Sequence, residues 1–212
     1  MATQKLTMIE IPLSKRALDV VLSGAGLLVS APIWVLVTAA IKLEDRGPVF
    51  YRQERVGQGG RRFDALKFRS MIPDAESGRA IQATANDPRV TRIGRIMRVT
   101  ALDELPQLWN IFIGDMSFVG PRALRPQEVE VNGSGELLSI DQIPGARERH
   151  QVRPGLTGIA QIFAPRDITR RNKFRYDRLY IRNQGFWFDV RLILLSFWIT
   201  ARGRWEHSGS KF

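Results

Sequence analysis

A chain of 212 residues has room for one sizeable domain, or for a smaller one with an anchor. Lys and Arg total 32 against 21 acidic residues, giving +11 at pH 7, yet 44% of residues are apolar. That balance excludes a disordered basic tail as the main explanation and suits anionic lipid, nucleotide or nucleic acid as a partner. The absence of Cys excludes a disulfide scaffold, a thiolate-held Fe–S cluster and a cysteine nucleophile. With only His150 and His207, little supports a histidine-rich metal site or serine–histidine chemistry.

Residues 1–14 read as a loose lead. Lys15, Arg16 and Asp19 then precede Val20–Ile41, which carries no charge and as a helix would cover about 33 Å, the thickness of a hydrocarbon layer. Two features complicate a simple span. Pro32 cannot bond back to the Leu28 carbonyl, a loss that the Ser30 hydroxyl could offset, and basic residues flank both ends, with Lys42, Arg46, Arg52 and Arg55 on the far side. Taken alone, the residues favour a kinked single span over a re-entrant hairpin. A buried soluble helix and a cleaved signal peptide fit less well.

Glu44–Pro48 forms a turn, and Val49–Gln53 a short strand. Arg55–Gly60 looks like a phosphate loop but lacks the Walker lysine and hydroxyl, so it reads as a hairpin turn. Phe63–Ser70 alternates like a strand, with Lys67 and Arg69 on one face, either lining an anion site or solvated. Residues 73–89 read as a polar loop. Arg89, Arg92, Arg95 and Arg98 then recur every three residues among apolar ones, which on a helix makes a basic stripe that Gly94 weakens.

The stripe leads into Thr100–Asn110, TALDELPQLWN, where Asp103 and Glu104 adjoin. With Thr100 as N-cap, Asp103 would fall at the third helical position, its ionised form favoured by about 0.3–1 kcal/mol, and Pro106 would bend the helix from inside. Two such carboxylates can share a metal; the plainer alternative is an ordinary acidic helix start. Gly120-Pro121 then presents Arg122 from a restrained turn, and Arg153-Pro154-Gly155 does the same for Arg153. Two arginine forks flanking a cleft would offset the charge of a diphosphate. Residues 123–150 are polar, interrupted by Asn132-Gly133-Ser134-Gly135.

Arg170, Arg171, Lys173, Arg175 and Arg178 interleave with aromatics, a pattern shared by nucleic-acid binders and by interfacial helices on anionic lipid. Phe186–Trp198 is apolar but broken by Asp189 and Arg191, which favours monotopic burial over a span.

These blocks resemble the small monotopic phosphoglycosyl transferases of bacteria, which start lipid-linked glycan assembly. The likeness covers about residues 14–200. It rests on Lys15-Arg16…Asp19, Ser30-Ala31-Pro32, Lys67–Met71, Leu102–Leu108, Gly114–Arg122 and Arg153–Gly158. Two departures bear on sugar or nucleotide preference: Ile159 stands where the family usually has tryptophan, and Ala164-Pro165-Arg166 where Asn-Gly-Arg is customary.

The resemblance implies an α+β monotopic membrane protein: an N-terminal re-entrant helix-break-helix, interfacial amphipathic helices and a small cytosolic α/β catalytic region. The expected division is 1–45 for lead and membrane helix, 46–204 for the catalytic domain and 205–212 for a flexible tail. Lys15, Arg16 and Asp19 would pin the cytosolic end of the anchor, with Ser30 and Pro32 breaking it within one leaflet. The implied reaction passes a phosphosugar from a UDP-sugar to undecaprenyl phosphate, releasing UMP, on the cytoplasmic face of the bacterial inner membrane. Asp103 would be the nucleophile and Glu104 its partner, with Mg2+ at the pair. Arg122, Arg153, Lys67 and Arg69 are the expected phosphate ligands, anionic lipids the surroundings, and no nucleic acid is expected. The oligomeric state stays open, a homo-oligomer included. The rival readings are a basic membrane-associated binding protein for nucleic acid or acidic partners, and a membrane-bound phosphohydrolase.

Overall fold

The computed structural model describes residues 7–73, 75, 87–126, 128–131, 137–165 and 168–202. Most of the 73–89 loop, the Asn132–Gly135 interruption, Arg166, and the tail after 204 lie outside the described residues.

The first helix, α1 (Leu13–Asp45), has 33 residues and so extends about 50 Å. It is long and apolar enough to cross a membrane. Pro32 lies inside a continuous helix where a break was expected. The Ser30 hydroxyl accepts from the Trp34 indole at 3.0 Å and reaches the Leu27 carbonyl at 3.5 Å, so it does not serve the Leu28 carbonyl that Pro32 frees.

Both ends of α1 rest on the rest of the molecule. At the first end, Asp19 accepts from the Ser117 hydroxyl at 3.0 Å and the Phe118 N–H at 2.9 Å. At the second, Arg46 closes the helix with a left-handed residue (φ 58°), and the Glu44 carboxylate accepts from the Arg92 N–H at 2.8 Å. Between them Leu18, Leu22 and Leu27 pack against the main core, which includes Leu108, Ile111, Val119, Tyr180 and Leu192. Val37 and Ile41 join a second core with Phe68 and Met97. The helix therefore shares its packing with the region after residue 46.

Strands β1 (Phe50–Val56) and β2 (Arg62–Phe68) form an antiparallel hairpin with Phe50 opposite Phe68. Its turn places Gly59 (φ 68°) and Gly60 (φ 80°) in the left-handed region, so the glycine-rich stretch makes a hairpin turn as read from sequence. Helix α2 (Arg92–Val99) follows, started by Thr91, whose hydroxyl accepts from the Gly94 N–H at 2.9 Å. Gly94 is required there: a Cβ would lie 2.0 Å from the Ser70 carbonyl oxygen.

Helix α3 (Gln107–Ile113) leads to β3 (Ser117–Val119). Beyond β4 (Val129–Val131), β5 (Leu137–Ser139) and the short α4 (Ala146–Arg149), strand β6 (Gly155–Thr157) pairs parallel with β3. The two rigid turns read from sequence thus come together. A Cβ on Gly155 would sit 2.0 Å from the Gly120 nitrogen, and one on Gly120 would sit 2.4 Å from the Arg153 carbonyl oxygen. Among the described residues all three sheets are two-stranded, so the mixed helix and sheet class holds without any larger α/β sheet.

Helices α5 (Ile159–Phe163), α6 (Arg170–Asn183) and α7 (Phe186–Ala201) close the core. Helix α7 buries Leu192, Ile193 and Ile199 but exposes Trp187, Leu194 and Phe197, so core packing and an outward apolar face share one helix.

Candidate active site

Helix α2 stops before the acidic pair. The Thr100 hydroxyl donates to the Ile96 and Met97 carbonyls, so Thr100 closes α2 and does not open the next helix, as the sequence had suggested. Ala101 then takes a left-handed conformation (φ 56°), and Leu102–Glu104 makes a single 3-10 turn. Pro106 occupies the N-cap of α3 and not its interior. The reason is local: proline lacks an N–H, and the first turn of a helix has no intrahelical partner for one.

In a 3-10 turn successive side chains diverge by about 120°, and the two carboxylates meet different surroundings. Glu104 Oε1 accepts from Lys67 Nζ at 2.7 Å and from Arg122 Nη2 at 2.7 Å. Among the described residues no group donates a hydrogen bond to Asp103. Both residues are recessed, at 8% and 9% exposure, while the Arg122 side chain keeps 45%.

The electrostatics separate the pair further. Burial pushes the Asp103 carboxyl up to about 6; Lys67 pulls it back and the Glu104 charge adds to the rise. Burial also opposes ionisation of Glu104, but Arg122 and Lys67 more than offset it, holding that carboxyl well below the usual range. One member is a fixed anion within an ion-pair cluster. The other is an under-solvated carboxylate whose lone pairs are uncommitted. Such an oxygen has the greater incentive to bond a metal ion or an electrophilic phosphorus.

Three elements bring these groups together. Lys67 comes from β2, the carboxylates from the turn before α3, and Arg122 from the turn after β3. Asn110, missed in the sequence, clips the first two: it donates to the Asp64 carbonyl at 2.8 Å and accepts from the Leu66 N–H at 2.9 Å. A polar residue among apolar ones in LWNIF was its only signal. Arg98 was legible only as part of a stripe. It donates to Ser70 Oγ at 3.0 Å and is among the cations that act on Asp103.

Two expected phosphate ligands lie elsewhere. Arg69 follows the end of β2; its guanidinium pairs with Asp45 (Nη1 to Oδ2, 2.6 Å) and donates to the Pro48 and Met71 carbonyls. It ties the second end of α1 to the hairpin, and its fork is fully engaged in doing so. Arg153 lies against Gly114 at the far end of α3, and the charges near it are Arg16, Asp19 and Asp115, not the acidic pair.

The predicted anchor residues are docking groups of the first end of α1. Lys15 Nζ donates to the Val119 carbonyl (3.0 Å), Tyr180 Oη (3.0 Å) and Asp189 Oδ2 (2.6 Å). Arg16 donates to the Ile111 and Phe112 carbonyls at 2.8 and 2.7 Å at the end of α3, where the Ile111 carbonyl also accepts from the Gly114 N–H at 3.1 Å.

With this geometry in place, comparison with known sequences is decisive. The sequence pattern of a family described as bacterial sugar transferase matches residues 11–203. The chain belongs to that family. Among its relatives, an undecaprenyl-phosphate glucose phosphotransferase of Komagataeibacter xylinus is 44% identical over 190 residues, covering 87% of the chain and 35% of the relative. A UDP-glucose:undecaprenyl-phosphate glucose-1-phosphate transferase of Klebsiella pneumoniae is 41% identical over 187 residues, covering 86% and 39%. The exopolysaccharide production protein ExoY of Rhizobium meliloti is 36% identical over 196 residues, covering 85% and 82%. The chain thus spans well under half of the first two relatives and most of the third.

Proposed function

We propose that this chain is a phosphoglycosyl transferase that moves a sugar-1-phosphate from a UDP-sugar to undecaprenyl phosphate and releases UMP, so initiating a lipid-linked glycan or exopolysaccharide. The observation that carries the reading is the asymmetric pair: an uncommitted, recessed Asp103 beside a Glu104 held by Lys67 and Arg122. The names of the relatives support the donor and acceptor class.

In the proposed mechanism an Asp103 carboxylate oxygen attacks the sugar-bearing phosphorus of the donor. The phosphorus–oxygen bond to UMP breaks and UMP leaves with the electron pair. A phosphate oxygen of undecaprenyl phosphate then attacks the same phosphorus, the Asp103–phosphorus bond breaks, and the free carboxylate returns. Two steps at one site spare the two anionic substrates a direct encounter. Arg122 is the ligand for donor phosphate oxygens, since its half-exposed fork lies beside the pair. Lys67 keeps Glu104 ionised.

Mg2+ fits the residues present. It favours carboxylate and phosphate oxygens and retains waters, so one or two protein ligands suffice, and the unpaired Asp103 oxygens with the Glu104 carboxylate supply them. When bound it would neutralise phosphate charge during the approach of the nucleophile.

The same reading places the catalytic region on the cytoplasmic face of the inner membrane, with α1 bending at Pro32, without a break in the helix, to enter and leave one leaflet, and anionic lipid around it. Its support is twofold. Both ends of α1 dock on one body, which disfavours carrying them to opposite faces, and its outer side is bare and apolar, Leu28 being 79% exposed. Trp109, Phe112, Trp187 and Phe197 are further exposed apolar side chains of the kind an interfacial surface presents. Single cysteines at Glu10 and Arg52 should both label from the cytoplasmic side; labelling from opposite sides would defeat the re-entrant reading.

The deciding assay offers the purified chain a panel of UDP-sugars with undecaprenyl phosphate and Mg2+ and measures UMP. Lipid-dependent UMP release, together with a radiolabelled adduct that Asp103→Asn abolishes, is the expected result. Release of free sugar phosphate without the lipid would favour a phosphohydrolase, and an adduct persisting on Asp103→Asn would remove the nucleophile assignment.

A further inference from the structure

The segment that carries Arg122 lies past the end of β3 at Val119, so the four consecutive carbonyl groups of Pro121 to Leu124 fall outside that strand's ladder. Each finds a donor. The Pro121 carbonyl accepts from the Gly155 N–H at 2.9 Å, and the Leu124 carbonyl from the Val56 N–H at 2.9 Å. Between those backbone ties, the Arg122 carbonyl accepts from Arg149 Nη2 at 2.6 Å and the Ala123 carbonyl from Arg55 Nη1 at 3.1 Å. Two guanidinium groups thus hold the two successive peptide units that follow the Arg122 Cα, while the Gly155 N–H holds the one before it.

Neither arginine is loosely placed. Arg149 is 5% exposed, pairs through Nε with buried Asp177 of α6 at 3.1 Å, and lies over the Phe174 ring at 4.6 Å. Arg55 stands near the end of β1, where a second arm of its fork donates to Gln53 Oε1. In each case one side of a planar fork is fixed by a side-chain acceptor, leaving the other aimed at a backbone oxygen. Lysine carries the charge but cannot make both bonds in one plane.

Resting on the transferase reading above, we propose that Arg149 and Arg55 are positioning residues for the reaction. By clamping the carbonyls of Arg122 and Ala123, they fix the backbone from which the Arg122 guanidinium reaches Glu104 and the donor phosphates. Through Asp177, the same clamp makes α6 a support of the site. A guanidinium that must meet a phosphate as charge develops is sensitive to small displacements: a misplacement of about 1 Å can cost roughly a hundredfold in rate.

The test is a double-mutant cycle on the full chain, with UMP release from UDP-glucose and undecaprenyl phosphate as the readout. Arg149→Lys and Arg55→Lys are made singly and in combination with Arg122→Lys, and thermal midpoints are recorded for all. Each single variant should lower kcat about ten- to a hundredfold and change the donor KM less. In the Arg122→Lys background each should cost less than about twofold, since a clamp has nothing left to aim. Wild-type kcat in both variants, or an equal fold loss in both backgrounds, would overturn the proposal, for the latter is what a merely structural role predicts. If one variant fails to fold, the other decides. Absence of UMP release by the wild-type chain with every UDP-sugar would sink the transferase reading itself, an outcome distinct from additivity in the cycle.

Discussion

The sharpest test of the acidic pair sets activity against stability. Replacing Asp103 by Asn keeps the shape and removes a charge that the fold holds at a cost. Burial raises the Asp103 carboxyl from 3.8 to about 6, so its ionised form is less stable in the folded chain than in the unfolded one. At about 1.4 kcal/mol per pH unit, that gap is worth about 3 kcal/mol. Between pH 3.8 and about 6 the folded state binds more protons than the unfolded, so stability falls as pH rises through this window and the full cost is present above it. Asp103→Asn should therefore abolish transfer while raising the thermal midpoint in EDTA at pH 7.5 by roughly 6–12 °C. The gain should shrink through pH 6 and vanish below about pH 4. Differential scanning fluorimetry across pH reads it directly. A variant no more stable than wild type at pH 7.5, or one whose gain is the same at pH 4, would refute the claim that the nucleophile is held under strain.

Other consequences follow from the packing. The Lys15–Asp189 pair is 2.6 Å long with side chains 9% and 1% exposed, so Asp189→Asn should cost about 3–5 kcal/mol by stranding a buried cation, seen as a lowered midpoint in detergent. Gly94→Ala should prevent stable folding because its Cβ meets the Ser70 backbone, whereas Gly185→Ala, where nothing lies within 4 Å, should leave the midpoint within a few degrees of wild type. Arg16→Met removes two charged bonds to the end of α3 and should cost roughly 1–3 kcal/mol, while Arg95→Met on the exposed side of α2 should change stability by no more than about 0.5 kcal/mol.

The hairpin was legible because a glycine-rich turn separates two alternating runs, whereas the pairing of the Gly120-Pro121 and Pro154-Gly155 blocks was not read from sequence and emerges only in the close backbone approach at each glycine. Lys67, Arg69, Arg122 and Arg153 were all read as phosphate ligands, and only Lys67 and Arg122 turn out to pair with Glu104. All four are basic residues beside a strand or turn. Their fates diverge only through where β2 stops and which way the β3–β6 pairing turns the chain, neither of which leaves a local mark. Likewise Thr100 and Pro106 suit a helix start equally well; the outcome depends on α2 running on to Val99, which leaves Thr100 as its terminus. Arg149 had no signal, because its partners, the Arg122 carbonyl and the Asp177 carboxylate of α6, are distant in sequence and share no local pattern with it.

The charge excess takes on a different meaning in this light. Sheets of two strands and helices of a few turns leave many carbonyls without backbone donors. Here Lys15 serves Val119, Arg16 serves Ile111 and Phe112, Arg55 serves Ala123, Arg69 serves Pro48 and Met71, and Arg149 serves Arg122. These cations are consumed inside the fold, several with a carboxylate at their other side. A formal charge of +11 is therefore not a measure of the surface offered to phosphate or lipid. The cations that act on Asp103 are Lys67, Arg98 and Arg122, and of these Arg122 is the one whose following peptide units Arg149 and Arg55 hold.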